Sequence, residues 1–109
     1  MLLRVGPLPE EALAASAAFH ADVLPRAIEL LDAGAQVLTL VFEPAPHAHR
    51  GWRAAALQTL AVSRAPRRIN GLASDDEAAI AAAQAFVEAA PGITGHYLAL
   101  DGTGAGAVI

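Results

Sequence analysis

The segment QVLTLVF, residues 36–42, decides the fold class of this chain. It is rich in apolar and β-branched residues but lacks the strict alternation of a strand with one face in water, so both faces should be covered, as in a parallel sheet. Before it, from Ala12 to Ala33, apolar side chains recur every four positions, which predicts a helix with one buried face. Gly34 is a suitable residue to end that helix. We therefore expect a helix that leads into a central parallel strand.

The rest of the chain continues this alternation of strands and helices. We expect further strands at residues 2–5, 69–72 and 96–100 and further helices at 52–64 and 75–89. The order strand, helix, strand, helix, strand, helix, strand predicts an α/β fold: a truncated Rossmann-like parallel four-stranded sheet with three main helices and right-handed crossovers. No repeat or linker interrupts the chain, so we expect residues 1–109 to form a single domain.

Prolines and a capping motif predict where these elements break. Pro25 lies inside the first helical pattern, where a proline costs about 3 kcal/mol, so we expect a kink or a restart near residues 22–24. Residues 43–51 contain two prolines and two histidines and should form a loop. The sequence Ser74-Asp-Asp-Glu77 matches a capping box, in which Ser74 and Glu77 would bond each other's backbone N–H groups.

Composition excludes several classes of function. The net charge of the 109 residues is −4, with only seven lysines and arginines, which predicts no nucleic-acid partner. No apolar run approaches the roughly 20 residues of a membrane-spanning helix, and the N-terminus has no secretory signal, so we expect a cytoplasmic protein. The absence of cysteine excludes disulfides, thiolate nucleophiles and cysteine-ligated metals.

Two motifs in the second half resemble the short-chain dehydrogenase/reductase family. Residues 92–102, GITGHYLALDG, look like the end of these enzymes, where an Ile-Thr-Gly turn leads into the last strand and an Asp-Gly pair. Residues 55–70, which end in Arg-Ile-Asn, resemble the family's stretch from the active-site helix into a strand that usually ends in Val-Asn. Residues 19–34 and 36–42 are more weakly similar to the preceding helix and to the strand that carries the family's catalytic serine.

The resemblance also implies parts that this sequence does not keep. Family enzymes open with a strand, a glycine-rich turn and a helix that hold the cofactor pyrophosphate; because the sequence begins at Met1 without them, we expect this chain to lack that part. The family's Tyr-x-x-x-Lys pair falls on Arg50 and Ala54, or on His49 and Arg53 in a register shifted by one. In the family, the tyrosine donates a proton while the lysine activates it and holds the ribose, so neither register preserves the chemistry.

Other family positions depart in the same way. The serine position falls within residues 41–43, which contain no hydroxyl, and Asp22 lies only roughly where the family has its catalytic asparagine. The family's substrate loop after the third strand is missing, since Leu72 leads almost directly to Ser74. We therefore assign no catalytic, cofactor-binding or metal-binding residue, and we expect no cofactor.

Three smaller clusters of residues can each be interpreted either as a functional site or as an ordinary structural feature. His47, His49 and Glu43 could bind a metal, but a polar surface loop is the simpler account. Residues 102–106, GTGAG, superficially resemble a nucleotide-binding turn, but a helix should follow such a turn, and a tail is the simpler interpretation. The cluster of Arg64, Arg67 and Arg68 could hold an anion, but cations are also favoured near the C-terminal end of a helix.

Three features predict a partner chain. Trp52 begins a helix with alanines at 54–56, and the family's equivalent helix packs against a second subunit; the alternative is packing on its own sheet. The first strand would leave an unpaired edge. Right-handed crossovers that all step in one direction would leave the opposite sheet face open. We expect a homo-oligomer, either a dimer or a tetramer.

The preferred hypothesis is a non-catalytic domain, derived from this family, that self-associates or acts as a regulatory or partner subunit. The alternative is an oxidoreductase or ligand-binding subunit completed by another chain that supplies the nucleotide-binding half. A third hypothesis, a small metal-dependent enzyme that uses His47 and His49, has less support.

Overall fold

The computed structural model describes residues 1–100 of the chain. They form β1 (Leu2–Arg4), α1 (Ala12–Ala18), a π-helical segment (Phe19–Val23), α2 (Leu24–Asp32), β2 (Val37–Phe42), a 3-10 turn (His47–His49), α3 (Arg50–Ser63), β3 (Arg68–Ala73), α4 (Glu77–Ala89) and β4 (Tyr97–Ala99). The strands are all parallel, in the order β1-β2-β3-β4. The predicted α/β fold is confirmed. The glycine-rich segment 102–106 lies outside the described residues.

The first helical segment restarts where Pro25 required it. The Glu11 carboxylate caps α1 by accepting hydrogen bonds from the N–H groups of Leu13 and Ala14, at 3.0 and 2.9 Å. The helix then widens into the π-helical segment before α2 begins at Leu24. Pro25 thus falls in the first turn of α2, where a missing N–H costs no hydrogen bond. The predicted restart near residues 22–24 takes the form of a change of helix type, because Val23 and Leu24 keep helical backbone angles across the junction.

Strand β2 has apolar neighbours on both of its faces. Leu38, Leu40 and Phe42 lie on what we call the first face of the sheet, where α1, α2 and α3 cover them. Thr39 and Val41 lie on the second face, where α4 packs. All of these side chains are buried, because a central parallel strand is covered on both sides. The prediction made from residues 36–42 is therefore confirmed.

The position of α4 corrects two expectations. Each strand pairs on the same side of its predecessor, so helices on opposite faces require crossovers of opposite hand. The prediction of uniformly right-handed crossovers is therefore wrong, and so is the prediction of an open second face. The physical reason is that Val41 and Leu72 point to the second face, and burying them requires an apolar helix there. The apolar side of α4, with Ile80 and Ala83, meets that need.

Gly71 allows α3 to lie close against β3. A Cβ atom at this position would lie 2.5 Å from Cδ1 of Leu57 and 3.2 Å from the ring of Phe42. Both neighbours are almost fully buried and have little room to move. The spacing between this helix and the sheet thus depends on the absence of a side chain at residue 71.

Two predicted boundaries differ from the structure. The cap of α4 is Asp76, whose carboxylate accepts from the N–H groups of Ala78 and Ala79, while Ser74 instead accepts from the N–H of Asp76. Serine and aspartate cap helices about equally well, so the motif alone did not fix the start. Helix α3 begins at Arg50, inside the predicted loop. No helix within residues 1–100 is long and apolar enough to cross a bilayer.

Candidate functional site at the carboxyl edge of the sheet

The first turn of α3 brings two polar side chains to the edge of the sheet where the strands end. His49 and Arg53 are four residues apart, so they lie on the same side of the helix. They retain only 5% and 3% of their accessible surface. Arg50 and Ala54, the pair in the other register, are only half-buried. The structure therefore buries His49 and Arg53 at the carboxyl edge, whereas Arg50 lines a smaller pocket of about 210 Å³ beside Tyr97 and Ala99.

His49 has both ring nitrogens engaged within the protein. Nδ1 lies 3.1 Å from the indole Nε1 of Trp52, which can only donate, so Nδ1 accepts. Nε2 lies 2.8 Å from the carbonyl oxygen of Glu10 and therefore carries the proton. These two bonds select the neutral imidazole with its proton on Nε2 and tie α3 to the loop after β1. The ring has a positioning role and no free nitrogen for a ligand.

Arg53 is fixed among aromatic rings and is bonded through one nitrogen. Its Nη1 donates to the carbonyl of Glu43 and to the hydroxyl of Tyr97, each at 3.0 Å. Its Cζ lies 4.6 Å from the ring centroid of Phe42 and 5.7 Å from that of Trp52, which are cation–π distances. Because no carboxylate pairs with it in the described part of the chain, this buried cation is held by neutral groups alone.

A cleft of about 660 Å³ opens beside these two residues. Its walls come from the loop after β1, including Pro9, and from the loop after β2, including Glu43 and Pro46, while His49 and Arg53 form its base. Parallel α/β sheets generally bind ligands at this edge, outside the carboxyl ends of their strands. The cleft is therefore the place in the fold where chemistry or binding is expected.

The other predicted positions do not converge on this cleft as a catalytic set. Asp22 is exposed in the π-helical segment and does not line the cleft. Of residues 41–43, Val41 and Phe42 are buried and only Glu43 reaches it. His47 is exposed, and within residues 1–100 no three histidine, aspartate or glutamate side chains group as metal ligands. Because both nitrogens of His49 are bonded, the structure does not support a metal site built on the two histidines.

The basic cluster has a structural role that its sequence position did not reveal. Arg68 Nη1 donates to the carbonyls of Val87 and Ala90, both at 2.7 Å, and Nη2 donates to that of Glu88 at 3.0 Å. Arg68 therefore caps the C-terminal end of α4, rather than the end of α3 next to it in sequence. Arg64 lies near Asp32, with 3.5 Å between Nε and Oδ1.

The two motifs that carry the family resemblance meet in space. Asn70 donates from Nδ2 to the carbonyl of Ile93 and accepts at Oδ1 from the N–H of His96, each at 3.1 Å. The Thr94 hydroxyl accepts from the N–H of Ile69, also at 3.1 Å. Asn70 is fully buried, so these bonds satisfy polar groups that have no access to water. Together they fix the turn that leads into β4.

Comparison with models of known protein families identifies the family of this chain. The family model described as short chain dehydrogenase-like protein matches residues 3–100. The chain belongs to the short-chain dehydrogenase-like family. No curated protein and no solved structure matches it significantly. The resemblance first drawn from residues 92–102 and 55–70 is thereby confirmed.

The side chains at the α3 position do not fit the pair with which short-chain dehydrogenases hold the nicotinamide ribose. The proton of His49 is committed to the carbonyl of Glu10, and Nη1 of Arg53 is committed to Glu43 and Tyr97. Neither side chain presents the acid and adjacent ammonium that the family chemistry requires. We derive no reaction step through a nicotinamide cofactor at these residues.

Proposed function

We propose that this short-chain dehydrogenase-like protein is non-catalytic and acts through self-association. The observation that carries the proposal is the bonding of His49, which falls at the position of the family's proton donor in one of the two registers and has both nitrogens engaged in the fold. A side chain whose proton serves a structural bond cannot also serve a substrate. We therefore propose that the function resides in a surface rather than in a reaction.

A groove on the outer side of the helical layer supports self-association. It has a volume of about 310 Å³ and lies between α1–α2 and α3. Its lining consists of Ser16, His20, Leu24, Ile28, Trp52, Ala55, Ala56, Thr59, Leu60 and Ser63. The small side chains of α3 allow a second helix to approach closely, and no carboxylate, lysine or arginine lines the groove. Two copies related by a two-fold axis can therefore meet here without charge repulsion.

Light scattering of the full chain tests association directly. We expect a mass of at least twice the 11.1 kDa chain, unchanged when NAD or NADP is added, and no heat of nucleotide binding by calorimetry. A monomer at all concentrations would contradict self-association. Nucleotide binding in the micromolar range would contradict the non-catalytic part of the proposal.

A pair of matched variants tests the groove itself. Ala55→Arg places a long charged side chain in the groove, and Ala85→Arg places the same side chain on α4, away from it; both alanines are exposed and helical. We expect the first variant to be monomeric and the second to keep the mass of the parent chain. An unchanged mass for Ala55→Arg would mean that the interface lies outside the groove.

The alternative function, a subunit completed by another chain, is favoured by one observation. Within the described residues β1 pairs only with β2, so the outer edge of β1 offers backbone groups to a further strand. A strand from a nucleotide-binding partner can extend the sheet there. Co-purification of such a partner, together with nucleotide binding by the complex alone, would favour this function over self-association.

A further inference from the structure

The cleft at the carboxyl edge is large enough for a small molecule. Its volume of about 660 Å³ falls within the range of small-molecule sites. The loops after β1 and β2 form its walls, and α3 supplies its base. Nothing in the proposed self-association uses this cleft, since the groove lies on the outer side of the helical layer.

Arg53 leaves one edge of its guanidinium without a partner. Only Nη1 is bonded within residues 1–100. Nε is shut off from solvent and has no acceptor, whereas Nη2, which also has none, is not closed off in this way. Since Arg53 lines the cleft, Nη2 is the nitrogen that a molecule in the cleft can reach.

The geometry of the free edge determines what it can hold. Because Nε is shut off from solvent, the contact runs through Nη2 alone, and a charge-assisted hydrogen bond from a guanidinium N–H to a carboxylate oxygen is one of the stronger hydrogen bonds in proteins. The Phe42 ring, 4.6 Å from Cζ, and the two bonds of Nη1 keep the guanidinium in place. A buried cation without an anionic partner is costly, so an incoming anion gains the full benefit of pairing.

The rest of the cleft restricts the anion further. Leu8, Pro9 and Pro46 provide apolar wall. The exposed side chains of Glu10 and Glu43 also belong to the lining; they repel every anion, and they repel a dianion about twice as strongly as a monoanion. We propose that the cleft binds a small monocarboxylate, with a carboxylate oxygen on Nη2 of Arg53 and a short apolar body against the leucine and prolines.

Trp52 provides the signal for a binding experiment. It is the one tryptophan of the chain, and its ring lies 5.7 Å from Cζ of Arg53. The full chain is titrated with sodium butyrate at constant ionic strength, and tryptophan emission and calorimetric heat are followed. Sodium chloride and inorganic phosphate serve as control anions. We expect saturable binding of butyrate alone; no saturation with butyrate, or an equal response to chloride or phosphate, would overturn the proposal.

Two variants locate the site. Arg53→Met should weaken butyrate binding by about 10- to 100-fold, because a charged hydrogen-bonded contact is lost. Glu43→Gln keeps the backbone carbonyl that positions Arg53 and removes a repelling charge, so it should tighten binding by about twofold to fivefold. Undiminished binding by folded Arg53→Met would overturn the assignment. If circular dichroism shows that variant unfolded, Glu43→Gln decides, and an unchanged or weaker affinity overturns it.

Discussion

The two faces of the sheet are covered by different kinds of contact. On the first face, the ring of Phe42 stacks at 5.6 Å on Phe19 and meets Trp52 edge-on at 6.1 Å. On the second face, the buried side chains of α4 are mostly small: Ala79, Ile80, Ala83 and Val87. Aromatic side chains bury much more apolar surface than alanine does. The first face is therefore stabilised mainly by packing of large side chains. The second face depends more on polar contacts at the two ends of α4.

Polar side chains hold both ends of α4. At its start, Arg4 makes two hydrogen bonds to Glu77, at 2.6 and 2.9 Å, which together with the charge of that carboxylate raise the pKa of Arg4. At its end, Arg68 bonds several backbone carbonyls. The Arg4–Glu77 pair is exposed and adds little stability, whereas Arg68 is partly buried and donates charged hydrogen bonds to backbone carbonyls at the end of α4. The comparison of the two faces therefore indicates that the alanine-rich helix α4 is positioned largely by polar contacts at its two ends.

The largest expected effect is on the first face. Phe42→Ala should reduce the free energy of unfolding by about 3–5 kcal/mol, because it leaves a cavity among packed rings. Urea denaturation followed by circular dichroism measures the loss. Phe86→Ala is the matched control, since Phe86 is 58% exposed on α4 and its removal should change stability by about 0.5 kcal/mol or less. Equal losses for the two variants would remove the distinction between packed and exposed rings.

The next effect should come from the end of α4. Arg68→Met keeps the length of the side chain but removes its charged hydrogen bonds to the carbonyls of Val87, Glu88 and Ala90, at a cost of about 1.5–3 kcal/mol. Native-state hydrogen exchange should accelerate in the last turn of α4 and not in α3. Arg26→Met, at an exposed arginine with no hydrogen-bonded partner in residues 1–100, should be neutral. If Arg68→Met is as stable as this control, α4 does not depend on its C-terminal cap.

The smallest effect is expected at the start of α4. Asp76→Ala removes the side chain that caps the first turn and should cost about 1 kcal/mol. Asp75→Ala changes an adjacent exposed carboxylate that has no such bond and serves as the control. Urea denaturation of both variants measures the difference. A greater loss of stability for Asp75→Ala than for Asp76→Ala would contradict the assignment of Asp76 as the cap and would place the start of the helix earlier in the chain.

Local patterns were sufficient to predict the order of strands and helices from the sequence. The apolar run at residues 36–42 identified β2, and Pro25 identified the start of α2, because each depends on neighbours in the chain. The face taken by α4 was not predictable in this way, since it depends on which sheet face holds Val41 and Leu72. That choice is made in three dimensions, after the strands have paired.

The candidate site was less predictable than the fold. His49 and Trp52 are three residues apart on one helix, a spacing that could have suggested their hydrogen bond. Arg53 gave no such signal, because an arginine in a helix normally faces water and its partner Tyr97 lies 44 residues away. Arg68 likewise bonds carbonyls 19 to 22 residues later in the chain. Long-range partners of this kind become visible only in the folded structure.

The contact of Gly71 with Leu57 has a consequence for how this family can vary. The space on the first face admits one of the two side chains but not both at full size. Replacement of Gly71 by alanine in a related sequence should therefore accompany a smaller residue, such as valine or alanine, at position 57. Helix α3 and strand β3 would then evolve as a coupled pair, with the summed volume at these two sites nearly constant while each residue changes.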